Sequence, residues 1–191
     1  MTKIWTTEAD YPASRMARYD EAASGIGRLE LQAATRIATP VPLSFELPRN
    51  GRARMRGYGV IWSDILVPLV NEAVRVAIEA RVDDDDVQFI PAMIGSGAEA
   101  IEGAYFLLNP TTKVDVVDRD ASEPIVVKIP GFPDATVGFR RLVLRADFPA
   151  NGMGRQYDSA SYIVVGDQLA DAILRAANKG VRFTTGIPPV G

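Results

Sequence analysis

The 191-residue chain contains neither cysteine nor histidine. The first absence removes disulfides, thiolate nucleophiles and zinc–sulfur sites. The second removes the imidazole, the usual base near neutral pH and a common metal ligand. Any chemistry must therefore run on carboxylates, Lys, Tyr or Ser, or on a hard cation held by oxygen atoms. Long apolar runs are missing as well: none approaches membrane-spanning length, and the opening Met1-Thr2-Lys3-Ile4-Trp5 lacks the apolar core of a secretory signal. The expectation is a cytoplasmic protein that engages no membrane. Charge of one sign is also lacking, because a net −3 dictates no partner and offers no basic field for nucleic acid.

What is present is best ordered from Tyr162 to Thr184. Tyr162–Val165 is a β-branched and aromatic run, Gly166-Asp167 ends it and opens a helix, and Leu169, Ala172, Ile173 and Ala176 share one helical face. Asp167 and Asp171 suit the positive end of that helix, and Arg175 and Lys179 the negative end. Gly180 supplies a left-handed stop before Val181–Thr184 extends again. An earlier stretch repeats the pattern: a strand over Tyr58–Trp62, then Ser63-Asp64, a helix with apolar residues from Leu66 to Ile78, and a strand over Val87–Pro91. Pro68 requires the first turn of that helix to be bent or separate. The predicted fold is α+β, a mixed sheet with two strand-helix-strand units. A strand-rich N-terminal segment over 1–57 is expected to run on continuously into 58–191.

Residues 42–56 predict a hairpin whose returning arm aligns Arg52, Arg54 and Arg56 on one face. Such a row suits a phosphate, or simply forms the wet side of a strand. Pro124–Ile129 and Phe139–Arg145 read as strands, and Ala150–Asp158 as a loop.

Acidity is segregated. Residues 83–123 hold ten carboxylates against two cations, while the flanking segments are slightly basic. Asp83-Asp84-Asp85-Asp86 follows a helix, where four carboxylates oppose the dipole and contribute nothing to local stability. A basic partner surface gives them a role, because complementary charge speeds encounter and discourages wrong partners. Glu99, Glu102, Asp118 and Asp120 extend this candidate partner-binding set, with a solvated turn as the plainer reading.

Two cofactor signatures need weighing. Gly95-Ser96-Gly97-Ala98-Glu99-Ala100 matches a dinucleotide fingerprint, with Asp118 near the ribose-binding offset. Against it, Gly103 interrupts the required helix, Asn109-Pro110 closes the segment early, and Glu99 and Glu102 would repel a pyrophosphate. A connection between strands is the expectation. Asp115, Asp118 and Asp120 could gather a cation, but Arg119 sits among them and no glycine turn does. Asp118, Asp120 and Ser122 instead suit backbone capping in a turn. Neither a cofactor nor a catalytic residue is assigned.

Ser63-Asp64, Phe89-Ile90-Pro91, Tyr105 to Leu108-Asn109, Val114 to Ser122 and the Ile163–Phe183 unit, taken in that order, resemble the bacterial immunity-protein family of polymorphic toxin systems, formerly domain of unknown function 1629. The likeness covers about residues 58–185. It implies a cytoplasmic, non-enzymatic protein that binds and neutralises a cognate toxin, with no catalytic residues to carry over. A cofactor- or metal-dependent enzyme and an accessory subunit of a secretion system are the alternatives, and the oligomeric state is left open.

Overall fold

The second strand-helix-strand unit forms where its punctuation places it. Strand β12 (Ile163–Gly166) runs into helix α4 (Asp167–Ala177), and β13 (Arg182–Thr184) follows. Asp167 occupies the first turn of α4 and Arg175 the last. Leu169, Ala172, Ile173 and Ala177 are buried. The left-handed residue at the helix end is Asn178, with Gly180 adding a second positive φ of 92° two residues on.

The first unit begins later than its sequence suggests. Ser63-Asp64 closes a hairpin between β4 (Val60–Trp62) and β5 (Pro68–Asn71), and opens no helix. The Ser63 hydroxyl donates to the Val67 carbonyl and accepts from its amide, Asp64 accepts from the Tyr19 amide, and Leu66 turns the chain at a φ of 57°. Helix α3 (Glu72–Glu79) starts after Asn71, whose side chain caps the Val74 amide. Pro68 is thereby the first residue of a strand, where a missing N–H is tolerated.

The computed structural model describes residues 1–7, 15–38, 42–48, 50–55, 57–95, 97, 100–101, 103–128, 131, 134–159 and 161–187. Strands β6 (Val87–Ile94) and β7 (Tyr105–Pro110) complete the first unit, with β7 lying antiparallel between β6 and β5. The same arrangement recurs in the second unit. There β1 (Thr2–Thr6) lies antiparallel between β13 and β12, and β11 (Met153–Gln156) pairs with β12 as β4 pairs with β5. The orders β6-β7-β5-β4 and β13-β1-β12-β11 therefore correspond strand for strand, with the N-terminal strand in the place of β7. Val74 and Ile78 of α3 correspond to Leu169 and Ile173 of α4. Each pair is buried in the core shared by the two helices and two sheets.

Around these units, β2 (Arg18–Tyr19) and β3 (Leu43–Glu46) extend the first into a six-stranded mixed sheet. The short β8 (Lys113–Val114) runs parallel to β11 and extends the second to five. Residues 1–57 thus supply strands to both larger sheets, together with short helices α1 (Glu21–Ser24) and α2 (Gly51–Met55). A third sheet is formed by β9 (Glu123–Val127), β10 (Ala135–Val143) and β14 (Gly186–Ile187). Ala150–Asp158, expected to be a loop, contains β11, an interior strand of the five-stranded sheet between β12 and β8. Its glycines Gly152 and Gly154 serve close packing against Phe148 and Val114, so they do not mark a break. Residues 51–55 form a short helix in which Arg52 and Arg54 diverge, so the arginine row does not form, and Arg56 lies outside the described residues. Among the described residues no helix is long and apolar enough to cross a membrane.

Two glycines fix the approach between the units and their loops. A Cβ on Gly59 would lie 2.1 Å from the Ala177 carbonyl oxygen, and one on Gly166 would lie 2.1 Å from that of Pro149. Gly59→Ala and Gly166→Ala are each expected to cost about 1–3 kcal/mol through forced backbone shifts. Gly138→Ala, with open space around it, should be near neutral. Urea unfolding of the three variants checks the ranking.

Candidate functional site

The acidic turn is the first candidate. Helix α3 ends at Glu79, the amides of Ala80 and Val82 still donate to the carbonyls of Val76 and Ile78, and Asp83 follows this last turn directly. The backbone of the turn is held at several points: Asp86 N–H donates to the Asp83 carbonyl, Thr111 N–H to that of Asp86, and the Thr111 hydroxyl to that of Asp85. Thr112 donates to the Asp86 carboxylate at 2.5 Å, and Arg36 reaches the Asp84 carbonyl and, at 3.7 Å, the Asp85 carboxylate. Asp83, Asp84 and Asp85 stand exposed on this fixed frame, while Asp86 is half-buried and committed to Thr112. The run is thus a preorganised anionic knuckle.

The other predicted residues do not all join it. Asp118 accepts from the amides of Asp120 and Ala121, closing an Asx turn. Ser122 both accepts from the Val143 amide and donates to its carbonyl. Asp120 is exposed on that turn. Asp115 is committed elsewhere: Gln156 and Arg119 both donate to it, and together they hold its carboxyl below the ordinary range. Asp158 receives Arg119 and Gln156 in turn. Among the described residues no three carboxylates converge on a cation position. Glu99 and Glu102 lie outside the described residues, as do Ser96 and Ala98 of the glycine-rich run. β6 and β7 on either side of that run pair antiparallel, and among the described residues no helix follows it.

Sequence reasoning missed a second candidate, a pocket of about 810 Å³ over the start of α3. Asn71, Glu72 and Ala73 form one side, the α2 segment with Asn50 and Arg52 a second, and Ile101, Gly103, Ala104 and Tyr105 a third. Tyr105 is buried, which pushes its hydroxyl pKa upward, and it donates to the Tyr58 carbonyl at 2.7 Å. Glu72 is held by Arg75, which also reaches Glu79 and lies over the Phe106 ring. The equivalent place in the second unit is closed, and one residue explains the difference. There Gly166 lets Pro149–Gly152 settle onto the start of α4, where the Ala150 carbonyl accepts from the Leu169 amide. In the first unit the Asn71 side chain satisfies the matching Val74 amide by itself, and the space above remains open. The correspondence of Asn71-Glu72 with Gly166-Asp167 is the signal that could have located it.

No protein-family model matches the chain, and no curated protein matches it.

Asn71→Ala should remove the cap and cost about 1 kcal/mol, whereas Asn71→Gly should cost only a few tenths; chemical denaturation distinguishes them. For Asp115, a lowered folded pKa means that its share of stability is present above the unfolded carboxylate value and lost as pH falls through the folded one. Gln156→Ala should bring the Asp115 titration back toward the ordinary range, read by carboxyl-carbon NMR.

Proposed function

We propose that the chain is an immunity protein that neutralises a cognate toxin by direct contact in the cytoplasm, with the Asp83–Asp85 knuckle presented to a basic surface of that toxin. The observation that carries this reading is the combination of exposure and restraint in the turn. Three carboxylates face solvent from a turn whose backbone Arg36 and Thr111 hold and whose Asp86 carboxylate Thr112 holds. A fixed anionic surface forfeits little conformational freedom on docking, and its field steers an oppositely charged partner before contact. The resemblance of residues 58–185 to the toxin-system immunity family agrees with such a role, and Asp120 adds charge on a separate turn. Inhibition by coverage requires no catalytic group in this chain.

A second reading is supported by the pocket over α3, whose volume suits a small ligand. Thermal-shift measurements with nucleotides and with Mg²⁺ address it, since a ligand that binds only the folded chain raises its melting temperature.

The test of the first reading is co-expression with the polypeptide encoded beside it. The wild-type chain should restore growth. A Asp83→Lys, Asp84→Lys, Asp85→Lys variant should fold normally, associate roughly tenfold more slowly at low salt, and lose most of its salt dependence. Absence of rescue by the wild-type chain would overturn the function. Rescue with unchanged association kinetics in the variant would move the docking surface elsewhere.

A further inference from the structure

The β9–β10 hairpin is built unlike the rest of the molecule. Every residue of β9 is exposed, and Ile125, Val126 and Val127 retain 40%, 43% and 40% of their accessible surface. In the order β14-β10-β9 the strand pairs, among the described residues, on one side alone, leaving a row of backbone donors and acceptors along its outer edge. Such an edge with apolar side chains is ordinarily shielded.

β10 carries two irregularities that turn further groups outward. The register with β9 slips between Thr136 and Gly138, where Val137 is the extra residue and is 60% exposed. It slips again between Phe139 and Arg141, so that Arg140 and Arg141 both lie exposed between the buried Phe139 and Leu142. A bulge re-aims side chains in this way, and here two consecutive arginines are exposed on the bulged strand. Among the described residues neither Arg140 nor Arg141 forms an ion pair, and Glu123 across the ladder from Arg141 does not reach it. Lys128 at the end of β9 adds a third cation, 3.9 Å from Asp134 and otherwise in solvent.

We propose that this hairpin is a docking arm for an extended acidic segment of a partner protein, which adds to the sheet as a strand along β9. The backbone edge supplies the ladder, the β-branched side chains of Ile125 to Val127 supply apolar contact on both faces, and Arg140, Arg141 and Lys128 select carboxylates. An added strand lies about 10 Å from β10, two strand spacings away, within the joint reach of an arginine and a glutamate side chain. This surface is separate from the Asp83–Asp85 knuckle and opposite in charge, so the proposal does not depend on the function proposed above.

The test uses the full chain and two labelled, end-blocked heptapeptides of alternating valine and threonine, one preceded by two glutamates and the other by two lysines. Fluorescence anisotropy should show the glutamate peptide binding at least tenfold more tightly than the lysine peptide. Hydrogen exchange should slow at the amides of Ile125 to Val127 when it binds. Arg140→Glu with Arg141→Glu should reverse the preference, and since both side chains are exposed this variant should keep its melting temperature. Equal binding of the two peptides, no binding, or an unchanged preference in the double variant would overturn the proposal. So would concentration-dependent dimerisation that protects the same amides without peptide, which would make a second copy the occupant.

Discussion

Helix-on-helix contact between α3 and α4 is the constraint from which the architecture follows. Val74 and Ile78 on one helix and Leu169 and Ile173 on the other are fully buried in a common core, and the two sheets close over it from either side. Trp5 of β1 and Trp62 of β4 meet edge to face within it at 6.5 Å, so the aromatic centre is assembled from both units. The Trp62 indole N–H is satisfied by the Gly180 carbonyl, and Gly59 N–H and Val60 N–H donate to the carbonyls of Ala177 and Lys179. The end of α4 therefore serves as a neighbour for the outer edge of β4. An edge strand is covered and a helix end is satisfied by the same few bonds. Arg155, the counterpart of Trp62 in the second unit, is also buried. Its guanidinium donates to the Leu31 carbonyl and is pushed down to about 10 by desolvation.

The sequence was most legible where local chemistry and tertiary structure agree. From Ile163 to Thr184 the β-branched run, the glycine break, the helical face and the return strand each have one interpretation, and the α+β class with two strand-helix-strand units follows from them. Ser63-Asp64 misled because a Ser/Asp pair caps a turn as readily as it caps a helix, and only the pairing of Trp62 with Pro68 across the hairpin decides between them. The arginine alternation at Arg52 and Arg54 has a period of two, yet five residues anchored by buried Met55 coil into a helix. Met153 to Gln156 was hidden by Gly152 and Gly154, which look like loop punctuation and are in fact sites of close packing.

The candidate surfaces divide along the same line. Charge is written in the sequence, and the acidic knuckle could be read directly. Its restraint by Arg36, Thr111 and Thr112 comes from residues as far as 48 positions away and could not. The pocket depends on a difference between two corresponding helix starts, visible only once the units are aligned by their strands. The outward arginines of β10 depend on a bulge, a register property with no letter of its own.

The place of β1 bears on how the chain is made. Its partners β12 and β13 lie about 160 and about 180 residues downstream, as in the pairings of Thr2 with Gly166 and of Ile4 with Thr184. At ribosomal rates of about 5–20 residues per second, β1 waits on the order of ten seconds or more for them. The first unit, contiguous from Val60 to Pro110, meets no such delay. Nascent molecules therefore carry an unpaired Ile4-Trp5 segment until β12 and β13 emerge, an apolar strand of the kind that chaperones hold.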